Sequence, residues 1–110
     1  MAAFIKGDAV VIPFPFSDLT TAKRRPALVV AKLDRDDLIL CLITSQSATD
    51  NYTTPIEDKD FETGSLSKMS YVKSNRVFTA NEQIISYKVG KLRSEKTTEI
   101  IAKLIVILQQ

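Results

Sequence analysis

The period of an α-helix is sustained in one place in this chain, its last segment, so the fold must be built mainly from short strands. Apolar, β-branched runs before it alternate with polar turn formers. The first run is Asp8–Phe14, "DAVVIPF", and Pro13 and Pro15 bar its end from a central ladder position. "PALVVAKL" (Pro26–Leu33) and "DLILCLIT" (Asp37–Thr44) are strong strands joined by Asp34–Arg35–Asp36, and the pair reads as a hairpin. "SDLTTAKRR" (Ser17–Arg25) is expected as a polar loop ahead of them. A short strand around "YTTPI" follows, then a helical turn near Phe61 closed by Gly64. Two or three further strands span "SYVKSN" (Ser70–Asn75) and "RVFTANEQIISYKVGKL".

In the last segment Ser94 is expected to cap the helix and Glu95 suits its first turn. Ile100, Ile101, Leu104 and Leu108 share a face. Ile105, Val106 and Ile107 widen it almost all round, which predicts a core on one side and a partner subunit on the other. At 110 residues the chain fits a single domain, 1–110. The expected class is mainly β (α+β): a strongly bent antiparallel sheet or barrel with a C-terminal helix.

Composition removes several chemistries. There is no histidine and one cysteine, Cys41, so Ser–His and Cys–His nucleophile pairs are excluded, as is an internal disulfide. Too few soft ligands remain for a zinc site, and no metal or other cofactor is expected. Cys41, within "LILCLIT", reads as a small buried hydrophobe, which fits a reducing cytoplasm. "MAAFIKGDAV" has no basic start followed by an apolar stretch, and no apolar run is long enough to cross a bilayer, so no membrane association is expected. The net charge of +2 is too mild for a global field to recruit a polyanion. Any such role depends on where the cations sit.

They sit together at Lys23–Arg24–Arg25, directly before Pro26 and the apolar run. Adjacent like charges repel and add little to folding. The stretch is either a solvated loop or a place where a polyanion docks, and Lys23 and Arg24 then become nucleic-acid contacts. Ser17, Asp18 and Gln46 either read bases or hold their loops shut. Phe14 and Phe16 are stacking platforms or, alternating with prolines, core or subunit-interface residues.

The strings "KGDAVVIPFPFSDLTTAKRRPALVV", "LITSQ", "DFETGSL" and "SYVKSNRVFT" together resemble the MazF/PemK family of bacterial toxin–antitoxin toxins. Gly7–Asp8, Arg25–Pro26 and Thr44 fall in the family's order and spacing, and the likeness runs from about Lys6 to Leu108. It implies an SH3-like barrel, a homodimer, a cytoplasmic toxin that cleaves single-stranded RNA without metal, and a cognate antitoxin partner. It also implies that Arg25 and Thr44 are the catalytic pair. One departure stands out: many relatives carry a Gln near the position of Arg76. An Arg there adds phosphate affinity or alters base choice.

The residue types suit the implied chemistry. Metal-free cleavage has the ribose 2′-OH attack the adjacent phosphorus, so a site without histidine must stabilise the added negative charge with cations and hydroxyls. A guanidinium holds two phosphoryl oxygens at once and stays charged, which fits Arg25 as phosphate clamp and proton donor. Thr44 is either an ordinary strand-end threonine or a hydroxyl orienting the scissile phosphate. Arg25 is a poor general base, with a pKa above about 12; Asp18 and Glu57 are the alternatives. Two other functions fit the same resemblance: a non-cleaving toxin that binds and poisons DNA gyrase, and an inactive member retained for antitoxin binding. Arg25–Pro26 with Thr44 favours the nuclease.

Overall fold

The computed structural model describes residues 4–14 and 23–110. Seven strands form one curled antiparallel sheet: β1 (Asp8–Phe14), β2 (Lys23–Lys32), β3 (Asp37–Thr44), β4 (Thr53–Ile56), β5 (Phe61–Gly64), β6 (Ser70–Asn81) and β7 (Tyr87–Leu92). Their order across the sheet is β4-β6-β3-β2-β1-β7-β5. Helix α1 (Ser94–Leu108) closes the chain. The expected mainly β fold with a C-terminal helix is the one observed, and its sheet curls into a half-barrel.

Alternation along the strands gives the sheet two buried faces. On one, Ala9, Leu28, Val30, Cys41, Ile43 and Val72 pack with Ile100 and Leu104 of α1. On the other, Val10, Ile12, Ala27, Val29, Leu38, Leu40 and Ala80 pack together under Phe4, Phe78, Ile84 and Ile85. Among the described residues the second cover reaches only part of its face, and the remainder carries the candidate site.

Several elements differ from the sequence expectation. Lys23–Arg25 are strand, not loop: β1 supplies their ladder partners, with Ile12 opposite Arg25 and Pro13 opposite Arg24. Their side chains stay in water, so the charges do not oppose pairing. Pro13 is tolerated because β7 pairs with β1 only as far as Val11. The region expected as separate strands around residues 70–81 is one 12-residue strand. Its polar "SN" is accommodated by a register shift against β3, and buried Ser74 donates its hydroxyl to the Ile100 carbonyl at 3.2 Å. The turn expected near Phe61 falls earlier, as a 3-10 turn over Asp58–Asp60, and Phe61 begins β5.

Ser94 does not cap α1. It is the first helical residue, and Arg93, which precedes the helix, takes the cap position without a side-chain hydrogen bond. Thr97 instead donates both its amide and its hydroxyl to the Arg93 carbonyl. Ile100 and Leu104 are buried as expected, but beyond them only Ile107 keeps partial cover. Ile105, Val106 and Leu108 are exposed, Leu108 at 74%.

Candidate functional site

The site is set by strand register. Ala27 faces Leu42 and Leu28 faces Cys41 across β2 and β3. Carrying that register two residues further along each strand brings Arg25 opposite Thr44. Pro26, between Arg25 and Ala27, has no N–H to give the ladder, which is why regular pairing stops there. Arg25 shares a face with Ile12, its partner on β1, and so lies on the face away from α1. Thr44 reaches the same face by an independent route, because its neighbour Ile43 points into the helix-side core.

The row continues. Thr44 is the direct partner of Tyr71 on β6, and Tyr71 is the direct partner of Pro55 on β4. Thr44, Tyr71 and Pro55 therefore form a line across three strands, spaced about 5 Å apart, and Arg25 lies on the same face on the β2 side of Thr44, past the end of the β2–β3 ladder. Ser70 and Val72 are both buried, which forces Tyr71 outward. Lys73 lies two residues along β6 on Tyr71's side, opposite Thr53.

Thr44 sits at the end of β3, half-buried, and its Oγ1 accepts the Gln46 amide at 3.2 Å. This turn, in which the hydroxyl bonds two residues on, occupies one acceptor position and leaves the O–H free to donate outward. Lys23, Arg24 and Arg25 are exposed, and no described residue forms an ion pair with them. Their charge is turned to solvent.

Lys73 is held differently. Its Nζ lies 3.7 Å from Asp50 and 3.4 Å from the Thr53 hydroxyl. Thr53 in turn donates to Asp50 at 2.8 Å, and the Tyr52 amide donates to the same carboxyl oxygen at 2.9 Å. The Thr53 hydroxyl, followed by the Tyr52 amide and then Lys73, holds the Asp50 carboxyl below its ordinary range. Asp50 thus stays ionised and anchors the segment between β3 and β4.

The structure brings Lys23, Arg24, Arg25, Thr44 and Gln46 to one end of the sheet. Arg76 is exposed and lies within the register shift of β6 against β3, next to Val77, the partner of Cys41. Glu57 is not part of this group. It lies beyond Pro55, three strands from Arg25 or roughly 14 Å across the sheet, and is tied into a capping box with Asp60. Ser17, Asp18, Phe16 and the Phe14 side chain lie outside the described residues. Cys41 is buried in the helix-side core, and burial pushes its thiol up to about 11. Among the described residues no group of three or more His, Cys, Asp and Glu side chains is placed so that it could hold a metal ion.

Tyr71 and Lys73 were not singled out from sequence. "SYVKSN" reads as a half-buried strand, and nothing in it tells that Tyr71 will lie beside Thr44. That relation is set by a ladder between segments some thirty residues apart.

The fold recurs in solved structures. An endoribonuclease in complex with its cognate antitoxin from a mycobacterial species is 16% identical, with 97% of this chain and 96% of that chain covered and a TM-score of 0.76. A MazE–MazF structure from Deinococcus radiodurans is 15% identical, with 99% of each chain covered and a TM-score of 0.77. A second mycobacterial endoribonuclease is 18% identical, with 99% of this chain and 94% of that chain covered and a TM-score of 0.74. At these identities the likeness establishes the fold. No curated protein matches the sequence significantly. The sequence family described as "PemK-like, MazF-like toxin of type II toxin-antitoxin system" matches residues 5–108, nearly the whole length. The chain therefore belongs to the PemK-like, MazF-like toxins of type II toxin–antitoxin systems.

Proposed function

We propose that the protein is the toxin of its pair by virtue of metal-independent, sequence-selective cleavage of single-stranded RNA, with Arg25 and Thr44 as its catalytic residues. The observation that carries this reading is the β2–β3 register, which, carried past its last pair, points an exposed guanidinium with no carboxylate partner among the described residues towards a hydroxyl whose proton no described residue takes. Both lie on the sheet face away from α1. The endoribonucleases of the same fold are in keeping with it.

A phosphate between the two side chains would take two N–H donors from Arg25 and one O–H from Thr44. The 2′-OH of the preceding ribose attacks phosphorus, forming a 2′,3′-cyclic phosphate and breaking the bond to the 5′-oxygen. Arg25 stabilises the added negative charge and supplies the leaving oxygen's proton, and solvent restores it. One such donor contributes on the order of 100- to 1,000-fold in rate. Glu57 stands too far away to take the attacking hydroxyl's proton, which we assign to water at this open face. Lys23 and Arg24 draw the strand in, and Gln46, Arg76, Ser17 and Asp18 contact it around the scissile group.

The cognate antitoxin would bind this face and occlude it. A second copy of the chain would cover Ile105, Val106 and Leu108 of α1, giving a homodimer. No helix among the described residues is long and apolar enough to cross a membrane, and we place the protein in the cytoplasm with its RNA.

The test is incubation of the purified protein and its Arg25→Ala variant with a long unstructured RNA in excess EDTA, followed by mapping of the new ends. Discrete cuts leaving 5′-hydroxyls, lost in the variant, are expected. No cuts from folded protein would overturn the nuclease reading and favour the gyrase-binding alternative.

A further inference from the structure

We propose that Tyr71 is the platform on which the nucleobase beside the scissile phosphate stacks. This deepens the RNA-cleaving reading and rests on it. Thr44 and Tyr71 are direct partners in the β3–β6 ladder, and such side chains share a face with Cβ atoms about 5 Å apart. A phosphate held between Arg25 and Thr44 carries its ribose and base over the next position in the row, and that position is Tyr71.

Three features make Tyr71 a platform and not merely a filler of sheet surface. Its neighbours Ser70 and Val72 are both buried, so alternation fixes its side chain on the open face. It is half-buried, which anchors the ring while leaving part of it accessible. On its far side stands Pro55, an exposed, rigid apolar ring that ends the row. Two residues along β6, about 7 Å away, Lys73 is held by Asp50 and Thr53 where it can meet a neighbouring phosphate. Arg25 and Thr44 would hold the scissile phosphate, the adjoining ribose would carry its base over Tyr71, and Lys73, off the row along β6, would stand beside a neighbouring phosphate. Stacking of this kind accepts any base, since every base has a π-face. Tyr71 would therefore supply affinity, and sequence choice would come from other contacts.

The test uses random-sequence 12-mers with every 2′-OH methylated, which cannot be cut, and a 12-mer phosphodiester backbone lacking bases. Affinity is read by fluorescence anisotropy for the wild type and for Tyr71→Phe, Tyr71→Leu and Tyr71→Ala, each checked for an unchanged melting profile. Tyr71→Phe should bind the base-bearing pool within about 2-fold of wild type, while Tyr71→Leu and Tyr71→Ala should lose about 5- to 100-fold. On the baseless backbone all four should bind alike. Equal loss on both probes, no loss in Tyr71→Leu, or a loss in Tyr71→Phe matching that in Tyr71→Ala would overturn the assignment. Wild-type protein that binds the pool but shows no Tyr71 dependence removes this inference and leaves the nuclease reading standing. Wild-type protein that binds neither probe removes both.

Discussion

The Gln46 backbone amide donates to the Thr44 hydroxyl at 3.2 Å, and this fixes how Thr44 can act. With one lone pair occupied, the hydroxyl presents its proton to whatever lies over the sheet face. Thr44→Val keeps the shape and removes the proton. We expect single-turnover RNA cleavage to fall on the order of 100-fold in that variant, with the melting temperature unchanged. Thr44→Ser, which retains the hydroxyl, should stay within about 10-fold of wild type. Equal activity in Thr44→Val and wild type would reduce Thr44 to a strand-end residue.

Arg25 is exposed and sits next to two further cations, so its removal should cost the fold little, within about 0.5 kcal/mol. Its effect should fall on chemistry. Arg25→Ala is expected to slow cleavage by about 100- to 1,000-fold. Arg25→Lys should recover only part of that, because an ammonium keeps the charge but cannot hold two phosphoryl oxygens in a planar fork. Full activity in Arg25→Lys would show that charge alone suffices and that the two-point clamp is wrong.

The strands that carry this site were largely visible in the sequence, because β-branched runs such as "DLILCLIT" and "PALVVAKL" leave little choice of conformation. The helix was visible for the complementary reason, its change of period. What could not be read was partnership. Arg25 and Thr44 are nineteen positions apart and Tyr71 is twenty-seven further on, and only the ladder registers bring them to one face at one end of the sheet. Local signals also misled where tertiary pairing overrode them. Three adjacent cations read as loop, yet β1 gives them strand partners, and the polar "SN" of β6 reads as a break, yet β3 flanks it on both sides. The exposed end of α1 shows the opposite limit: periodicity placed Leu108 on the core face, but nothing local shows that full burial stops at Leu104.

β5 and β7 approach so closely that glycine is required on both. A Cβ on Gly90 would lie 2.5 Å from the Thr63 carbonyl oxygen and 3.0 Å from the Phe61 ring, and both obstacles are packed in place. Gly90→Ala should therefore push β5 outward and cost about 1–3 kcal/mol. A lower urea midpoint with an unchanged m-value would show it. An unshifted midpoint would mean that β5 yields freely.

Cys41 lies in the helix-side core with its thiol pushed up to about 11 by burial. Near pH 8 it is neutral and shielded, and the thiolate is the reactive form. Iodoacetamide should leave the native protein unmodified over hours and alkylate it rapidly in denaturant, as read by intact mass. Modification of the folded protein at the rate of a free thiol would contradict the burial of β3.

Asp50 makes stability pH-dependent in a defined direction. Its carboxyl is held below the ordinary value of 3.8, first by the Thr53 hydroxyl, then by the Tyr52 amide and Lys73. A depressed folded pKa means that the charged form is favoured by folding. The contribution is complete above 3.8 and is lost as pH falls through the lower folded value. Asp50→Asn should accordingly melt below wild type at neutral pH, and the gap should close in acid well below 3.8. The pair is solvent-accessible, so the gap should also narrow with added salt. A melting gap that persists unchanged into strong acid would show that Asp50 acts through its hydrogen-bonding shape and not through its charge.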